Sequence, residues 1–430
     1  MTINATRKII SLTGPNCSFA NTSACRVDVI AGTDSIFPYD ASRTITQATK
    51  YYVSPTGSNS AAGTLAAPFA TLAHALTLAG PNVAVLLMDG THTWSGINAK
   101  TIGASGTSGT PFLISSAPGH TPIINCSGNT LYGLRIDNKA YWRVSHLKII
   151  NYVTGIEIAQ DASCTDLRFE NLLGETNLGG DNVGLLAVWE ATRTPGIVID
   201  NIKTVNTGTG LPLNTGGIYI KRTTDSTATL NRIVCIGGPI GLYFKHGNPT
   251  PSAQNMTVSN SAFIGQTRIS MGHNPSGVVF TNCLFGDGAQ VKLAEADGGE
   301  AGDLCTFDHC TFHDGITLTN QNQSVQPGAV NTKFINSLLA LLTVQSPSTV
   351  TTDSNYNVLN NILRYGSSNT LAQWRTNNSS DANSVDGTIV YQGSNMTLIP
   401  SYALASGSVG KNAASDSTDI GCNVSTVGII

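Results

Sequence analysis

The segments FTNCLFGDGAQVKL (280–293) and FDHCTFHDGITL (307–318) carry the same short pattern, 27 residues apart. In each, an apolar residue, a residue of any kind and a polar corner residue precede an apolar cluster, and a second alternating strand follows. A spacing of 22–31 residues between corners indicates one supersecondary unit repeated with loops of variable length. The corner residues of the series are His146, Asn171, Asn201, Arg232, Asn260, Asn282, His309 and Asn336.

The strands that follow these corners alternate apolar and polar residues with period two, which buries one face and exposes the other. They read GIEIAQ (155–160), GIYIKR (217–222), GLYFKH (241–246), RISMGH (268–273), QVKLAE (290–295) and GITLTN (315–320). We predict an all-β fold, a single-stranded right-handed parallel β-helix of about ten coils from Leu113 to Val358. Stacked corner side chains would form an amide ladder at the strand repeat of about 4.8 Å.

The composition fits an uncharged β solenoid. Only 11% of the 430 residues are charged, against about 25% in ordinary soluble domains. The net charge of −3 offers no basic field for nucleic acid. No apolar run approaches the roughly 18 residues of a membrane span. After Arg7 and Lys8 only IISL precedes Thr13, which is too short for the apolar region of a secretory signal.

The ends of a solenoid need caps. The segment PFATLAHALTLA (68–79) has helical spacing between Pro68 and the stop at Gly80 and Pro81, and predicts an N-terminal capping helix. The segment TLAQWRTNN (370–378) predicts a short helix on the last coils. We divide the chain into an N-terminal attachment or oligomerisation arm (1–47), the N-terminal cap and first strands (48–110), the parallel β-helix (111–358) and a C-terminal cap (359–430).

The outward residues of the second strand form a strip that predicts a binding face. Aromatic rings offer a face to the C–H groups of sugars, and ammonium groups suit carboxylate or sulfate. We therefore expect an anionic glycan to lie along the solenoid axis, although polar outward residues are also ordinary in any β-helix. The residues predicted to bind substrate are Tyr219, Tyr243, Lys292, His246, His273, Arg135 and Glu157, with Asp137 on the same face.

Four other segments resemble a known family. The opening YYVSPTGSNSAAGTLAAPFATLAHAL (51–76) is similar to that of secreted right-handed β-helix proteins of the pectate-lyase-like superfamily. The segments SNYNVLNN (354–361), LAQWRTNNSSDANSV (371–385) and LIPSYALASGSVGKNAASDSTDIGC (398–422) are similar to its closing segments. The resemblance covers about residues 50–423 and implies the fold. That group contains pectate, alginate and chondroitin lyases, phage tailspikes and non-catalytic binding proteins, so fold does not decide activity.

For catalysis we single out Lys245, Arg268 and Lys221. Lys221 and Lys245 are expected to stack on neighbouring coils, where each disfavours the charge of the other and one can act as a base. Lys245 with Arg268 resembles the lysine–arginine pairing of alginate and chondroitin lyases. The acidic calcium cluster of those enzymes has no counterpart near Lys245, and their Arg-His-Gly strand end reads Met271-Gly272-His273 here.

Other candidate sites are weaker. Asp137 and Glu157 are a candidate carboxylate pair for hydrolysis. The acidic loop AEADGGEAGD (294–303) leaves calcium open as a cofactor, although it lacks the ligand spacing of a known calcium loop. The stretch DHCTFHD (308–314) resembles a metal site, but His309 falls on the ladder and Cys310 on Cys283, so we assign no metal there. The other cysteines are expected to be mostly buried thiols.

Two functional hypotheses follow. The first is an extracellular or virion-associated spike that binds a bacterial surface polysaccharide and, as a depolymerase, also degrades it, with other virion proteins or a homotrimer as partners. The alternative is a secreted polysaccharide lyase that cleaves an anionic glycan by β-elimination. Both locate the protein outside the cell that makes it, and the sequence leaves open whether it is an enzyme.

Overall fold

The computed structural model describes residues 42–428. The gaps lie at 100–101, 127–131, 160–163, 180–183, 189–195, 207–214, 222–226, 246–255, 266–267, 273–276, 290, 294–301, 319–329 and 346–347. Within strands, the backbone alone is described at 221, 245, 268–272, 292–293, 302–304 and 330. The arm up to residue 41, with Cys17 and Cys25, lies outside the described residues.

The described chain is built almost entirely of short strands. The first ten are β1 (Thr49–Val53), β2 (Val83–Leu87), β3 (Thr91–Thr93), β4 (Ile97–Asn98), β5 (Phe112–Ser116), β6 (Ile123–Asn125), β7 (Leu134–Ile136), β8 (Trp142–Tyr152), β9 (Ile156–Ile158) and β10 (Arg168–Asn177). The next ten are β11 (Leu186–Val188), β12 (Ile197–Val205), β13 (Gly216–Lys221), β14 (Ala228–Ile236), β15 (Ile240–Lys245), β16 (Met256–Ser259), β17 (Ala262–Ile264), β18 (Arg268–Gly272), β19 (Val278–Thr281) and β20 (Leu284–Phe285). The last nine are β21 (Val291–Leu293), β22 (Gly302–Asp308), β23 (Thr311–Phe312), β24 (Ile316–Leu318), β25 (Val330–Ile335), β26 (Leu338–Val344), β27 (Thr349–Val350), β28 (Val358–Arg364) and β29 (Ser367–Asn369).

These strands pair in parallel as three sheets that wind around one core. The first sheet runs β1, β2, β5, β8, β10, β12, β14, β16, β19, β22, β25, β27. The second runs β3, β6, β8, β10, β12, β14, β17, β20, β23, β26, β28. The third runs β4, β7, β9, β11, β13, β15, β18, β21, β24, β26, β28, and β29 pairs with β28 in the antiparallel sense. The ten first-sheet strands from β5 to β27 confirm the predicted β-helix and its coil number.

The predicted corner residues are the turning points between the first and second sheets. All eight have a left-handed backbone, with φ between 50° and 57°. Asn enters this region more easily than other L-residues because its short side chain hydrogen-bonds locally. Strands β8, β10, β12 and β14 therefore continue through the corner and belong to both sheets.

The side chains at the corners form a ladder that is interrupted. Asn171 Nδ2 lies 3.0 Å from His146 Nε2, and Asn201 Nδ2 donates to Asn171 Oδ1 at 2.5 Å. Asn282 Nδ2 donates to Asn260 Oδ1 at 2.7 Å.

The ladder is interrupted at two corner residues that have no carboxamide, Arg232 and His309. Arg232 turns to the carboxylate of Asp200, to which its Nε donates at 2.9 Å. Asn260 then bonds Asn231, the residue before that corner, at 2.9 Å. Asn336 bypasses His309 in the same way and donates to Asp308 at 3.3 Å. A first-sheet side chain thus supplies the acceptor that the corner residue lacks.

Inside the coils, the apolar residues on either side of each corner stack in columns. One column joins Phe280, Phe307 and Phe334, with ring centroids 4.9 and 5.4 Å apart. A second joins Phe263, Phe285 and Phe312, with centroids 5.5 and 4.7 Å apart. The ring planes within each column are nearly parallel. The seven described cysteines are also buried.

Both predicted helices are present, and α1 is shorter than predicted. Helix α1 (Leu72–Leu76) begins at Thr71, whose side chain accepts from the N–H of His74, and it buries apolar residues in the core cluster of the first coils. Helix α2 (Leu371–Asn378) begins with a capping box between Thr370 and Gln373. A short 3-10 helix covers Ile399–Tyr402. Among the described residues, no helix is long and apolar enough to cross a membrane.

The last segment differs from the predicted end cap. Residues 386–428, here called the C-terminal strap, run back along the outer face of the second sheet. The N–H of Gly421 donates to Asn336 O at 2.7 Å, and the N–H of Gly428 donates to Asn260 O at 2.7 Å. The strap takes this path because the outer face of the second sheet is apolar and is stabilised when it is shielded from water. The strap buries Val234, Ala262, Ile264, Leu284, Leu338 and Val358 under Tyr402, Leu404, Ala414, Ile420, Cys422 and Val427.

The corner geometry yields a stability prediction at Asn260. Asn260→Ala should lower the free energy of unfolding by about 3–4 kcal/mol, because Ala in the left-handed region costs about 1–2 kcal/mol and two ladder hydrogen bonds of about 1 kcal/mol each are lost. Asn260→Gly should lose only the hydrogen bonds, because Gly adopts this backbone without strain. Urea unfolding of the three proteins measures the difference. Equal losses in the two variants would contradict a backbone contribution.

Candidate functional site

The strip predicted on the second strand forms a continuous row on the outer face of the third sheet. Cα pairing joins consecutive coils without a break. This third-sheet row consists of Arg135, Glu157, Ala187, Tyr219, Tyr243, Ser270, Lys292 and Thr317. Since neighbouring strands lie about 4.8 Å apart, the row repeats with that period along the solenoid axis.

The two central lysines are level with each other. Lys221 pairs with Lys245, two residues beyond the paired Tyr219 and Tyr243 and therefore on the same strand face. The register of the predicted lysine pair is thus as expected. His246 and His273 lie outside the described residues, as does the acidic loop at 294–301.

The register does not place Arg268 beside Lys245, which corrects the expected pairing. Arg268 pairs with Ile240, and Lys245 pairs with Gly272. The strand irregularity between Ile240 and Tyr243 shifts the register by one residue only. The two residues are apart because Arg268 begins β18 whereas Lys245 ends β15. Arg268 is four residues before Gly272, about 13 Å away at the strand rise of about 3.3 Å per residue.

Tyr219 and Tyr243 are buried, although the alternation of apolar and polar residues predicted that their rings point outward into solvent. Their exposed fractions are 1% and 8%, and their ring centroids lie 5.4 Å apart in an edge-to-face arrangement. They form an apolar cluster with Ala187 and Ile240 that is separate from the main core. Alternation assigned the correct sheet face, but these rings are not an open platform for a sugar.

At the first coils, the row begins with an ion pair. Arg135 Nε lies 3.5 Å from Glu157 Oε1, and the Arg135 guanidinium lies over the ring of Tyr132 at 5.6 Å. Burial raises the pKa of Glu157, against the opposing effect of Arg135. Asp137, expected on the surface as a partner acid, is only 2% exposed. Two of the predicted binding residues thus contact each other, and the expected carboxylate pair is not open to solvent.

Two residues of the stretch 308–314, His309 and Cys310, have structural contacts. His309 uses both ring nitrogens: Nδ1 lies 2.8 Å from Asp308 Oδ1, and Nε2 lies 3.3 Å from Asp416 Oδ2. The hydrogen bond to Asp308 is the largest cause that raises the pKa of His309. Cys310 is buried beside Cys283. These residues are therefore structural, as expected.

Sequence reasoning missed two polar clusters next to the corners. Glu170 and Asp200 are Cα partners in the first sheet, one residue before their corner residues. In the second sheet, Lys148 Nζ lies 2.9 Å from Glu175 Oε2, and burial lowers the pKa of the neighbouring Lys203. The signal was present, because these charges recur at fixed offsets from the corner.

Sequence reasoning also set aside a group near the strap, because it assigned no metal to the stretch 308–314 and did not connect that stretch with Asp287. Ligand atoms of Asp287, His313 and Asp314 lie within 4.8 Å of one another. The sequence signal is the repeated turn FGDG (285–288) and FHDG (312–315).

Comparison with known proteins agrees with this fold. Residues 51–230 match the family model described as Pel9A-like, right handed beta helix region. Pectate lyase Pel9A aligns over 88% of this chain and 96% of its own, with 16% identity and a TM-score of 0.56. A rhamnogalacturonan lyase aligns over 86% and 97%, with 14% identity and a TM-score of 0.44. No curated protein matches the chain by sequence. At 16% identity the structural likeness to Pel9A concerns the fold alone.

Burial of Tyr219 yields a prediction about stability. Tyr219→Ala should lower the free energy of unfolding by about 3–5 kcal/mol, the usual range for emptying a buried aromatic site. Tyr219→Phe keeps the ring and should lose about 1–1.5 kcal/mol at most. Urea unfolding distinguishes the two. A Tyr219→Ala protein as stable as the parent would show that the ring is not packed.

His309 yields a pH-dependent prediction. Its pKa is raised in the folded state, so its ion pairs contribute fully below the ordinary pKa of about 6.5. That contribution disappears as the pH rises through the folded pKa. The stability difference between the parent and His309→Asn should therefore shrink from pH 6 to pH 9 in urea unfolding. A difference that is constant or grows with pH would contradict this ion-pair role.

Proposed function

We propose that this chain, a right-handed parallel β-helix protein of the pectate-lyase-like superfamily, binds an anionic polysaccharide along the third-sheet row. The observation that supports this most is the pairing of Lys221 with Lys245 on the face that also carries Lys292. The chain has only 23 basic residues, so three lysines on one strand face are an enrichment. Parallel faces of solenoids commonly serve as extended binding surfaces.

The row suits a polymer better than a small molecule. Its positions repeat at about 4.8 Å over consecutive coils, so successive groups of a polymer can meet successive positions of the row. Ammonium groups recognise carboxylate or sulfate as point charges. The buried tyrosine cluster supports the strands that carry the two lysines, and the polar residues of the row contact the sugar.

Cleavage by β-elimination is the chemistry we propose for this site. A base removes the proton at C5 of a uronate, the electron pair forms the C4–C5 double bond, and the C4–O bond breaks. The leaving oxygen then takes a proton. Lys245 serves as the base, and Lys221 neutralises the uronate carboxylate, because two paired lysines favour one neutral amine. Arg268 has no part in this step, given its register.

Hydrolysis is less well supported. It requires two accessible carboxyl groups flanking the scissile bond. Glu157 has the raised pKa of a general acid, but it is ion-paired with Arg135, and Asp137 is buried.

We place the protein outside the cell, either as a virion-associated spike that binds a bacterial surface polysaccharide or as a secreted lyase. Mass measurement in solution separates the two. A stable trimer supports the spike, and a monomer that releases unsaturated oligosaccharides supports the secreted enzyme. The name of the structural relative Pel9A, a pectate lyase, supports polyuronates as the first ligands to test.

The lysine pair yields the central functional prediction. Lys221→Gln and Lys245→Gln should each weaken binding of the polyanion by about tenfold or more, since hydrogen bonds to charged groups contribute about 1.5–3 kcal/mol. Lys245→Gln should also abolish the absorbance of new C=C bonds. Pectate, alginate and chondroitin sulfate are the probes, with binding measured by calorimetry.

Lys50→Gln, an exposed lysine on β1, is the matched control and should leave both readouts unchanged. Unchanged binding in both the Lys221→Gln and the Lys245→Gln variants would overturn the proposed site. Lost binding without any C=C signal in the parent would support a non-catalytic spike.

A further inference from the structure

The turns between the second and third sheets bring three metal-ligating side chains together. Phe285 of β20 pairs with Phe312 of β23. The next residues therefore stack in the same order, so that Asp287 aligns with Asp314 of the following coil. His313 is the residue before Asp314. This places the two carboxylates one coil apart on a rigid parallel frame.

The three side chains converge on one point. One ligand atom each from Asp287, His313 and Asp314 lies within 4.8 Å of the other two. Asp314 Oδ2 accepts from the N–H of Gly288 at 2.6 Å, which fixes that carboxylate on the neighbouring coil. In the described part of the chain, neither carboxylate has an ion pair with lysine or arginine. Two such charges repel each other, and a cation between them would remove the repulsion.

Two strap tyrosines hold the imidazole. The His313 ring lies 5.4 Å from the ring centroid of Tyr391 and 5.4 Å from that of Tyr402. Tyr402 Oη accepts from the N–H of Asp287 at 2.6 Å and donates to Met396 O at 2.6 Å. Both the imidazole and the Asp287 turn are thus positioned by a layer behind them.

The neighbouring His309 differs from His313 in the contacts of its ring nitrogens. It also lies near two carboxylates, but its two nitrogens face Asp308 and Asp416 separately. An imidazole used at both nitrogens has no lone pair left for a metal. Among the described residues, the His313 ring has as its one hydrogen-bond contact a long 3.5 Å approach of Nδ1 to the Tyr391 hydroxyl.

We propose that Asp287, His313 and Asp314 bind one divalent transition-metal ion, with Zn²⁺ as the reference ion. Imidazole nitrogen and carboxylate oxygen are ordinary zinc ligands, and three protein ligands leave a further position for water. The ion links two consecutive coils to each other and, through the packing of His313 on the tyrosines, supports the strap. This site is separate from the third-sheet row and does not depend on the proposed glycan chemistry.

The test is a calorimetric titration of the metal-free full chain with Zn²⁺. The parent should bind one ion per chain, and His313→Gln and Asp287→Asn should each weaken binding at least about tenfold, the smallest effect usual even for residues behind the ligands. Zn²⁺ should raise the unfolding temperature of the parent but not of the variants, because an ion stabilises only a state that binds it.

His120→Gln is the matched control. His120 Nδ1 lies 3.0 Å from Asp89 Oδ2, and the described residues offer no third ligand there, so zinc affinity should not change. Because Asp287 is exposed, Asp287→Asn provides a test even if His313→Gln fails to fold. The proposal is overturned if the parent shows no saturable zinc binding, or if Asp287→Asn binds zinc as the parent does.

Discussion

The left-handed corner between the first and second sheets is the constraint on which the rest of the molecule depends. Eight residues adopt it, and each turns the chain sharply within one residue. An L-residue loses about 1–2 kcal/mol there, so the corner persists only where side-chain hydrogen bonds and stacked coils compensate. Because every coil turns at the same point, the Phe280–Phe334 and Phe263–Phe312 columns fall into line inside it.

Because every coil turns at the same position, each of the three sheets also presents an outer face of different chemical character. The first sheet carries polar residues that supply acceptors where the ladder breaks, as Asp200 does for Arg232. The second sheet is apolar and is covered by the C-terminal strap. The third sheet carries the row with the paired lysines. The low charge of the chain follows, because backbone pairing between coils and amide side chains at the corners leave few places that need ions.

The fold was predictable from sequence to the extent that it depends on period and corner chemistry. Even Arg232, which has no amide, was identified because its neighbours kept the repeat. Exposure was not predictable, since alternation assigns Tyr219 to a face but does not reveal that an apolar cluster buries it. The pairing of Arg268 with Lys245 was wrong because Arg268 begins β18 whereas Lys245 ends β15, and the sequence pattern does not fix where along a strand two coils align. The strap was missed as a side cover because its apolar residues are scattered through a polar segment.

The proposed metal site lies in the turns that lead into two strands of the third-sheet row, which bears on how rigid the glycan row can be. Asp287 lies shortly before β21, which carries Lys292, and Asp314 lies shortly before β24, which carries Thr317. The register irregularity in this sheet occurs nearby, between β15 and β18. Strands β21 and β24, by contrast, pair in continuous register at all three of their positions. An ion that joins the two turns would fix the start of β21 and β24, and would thereby hold the spacing of the row residues that a polymeric ligand must match.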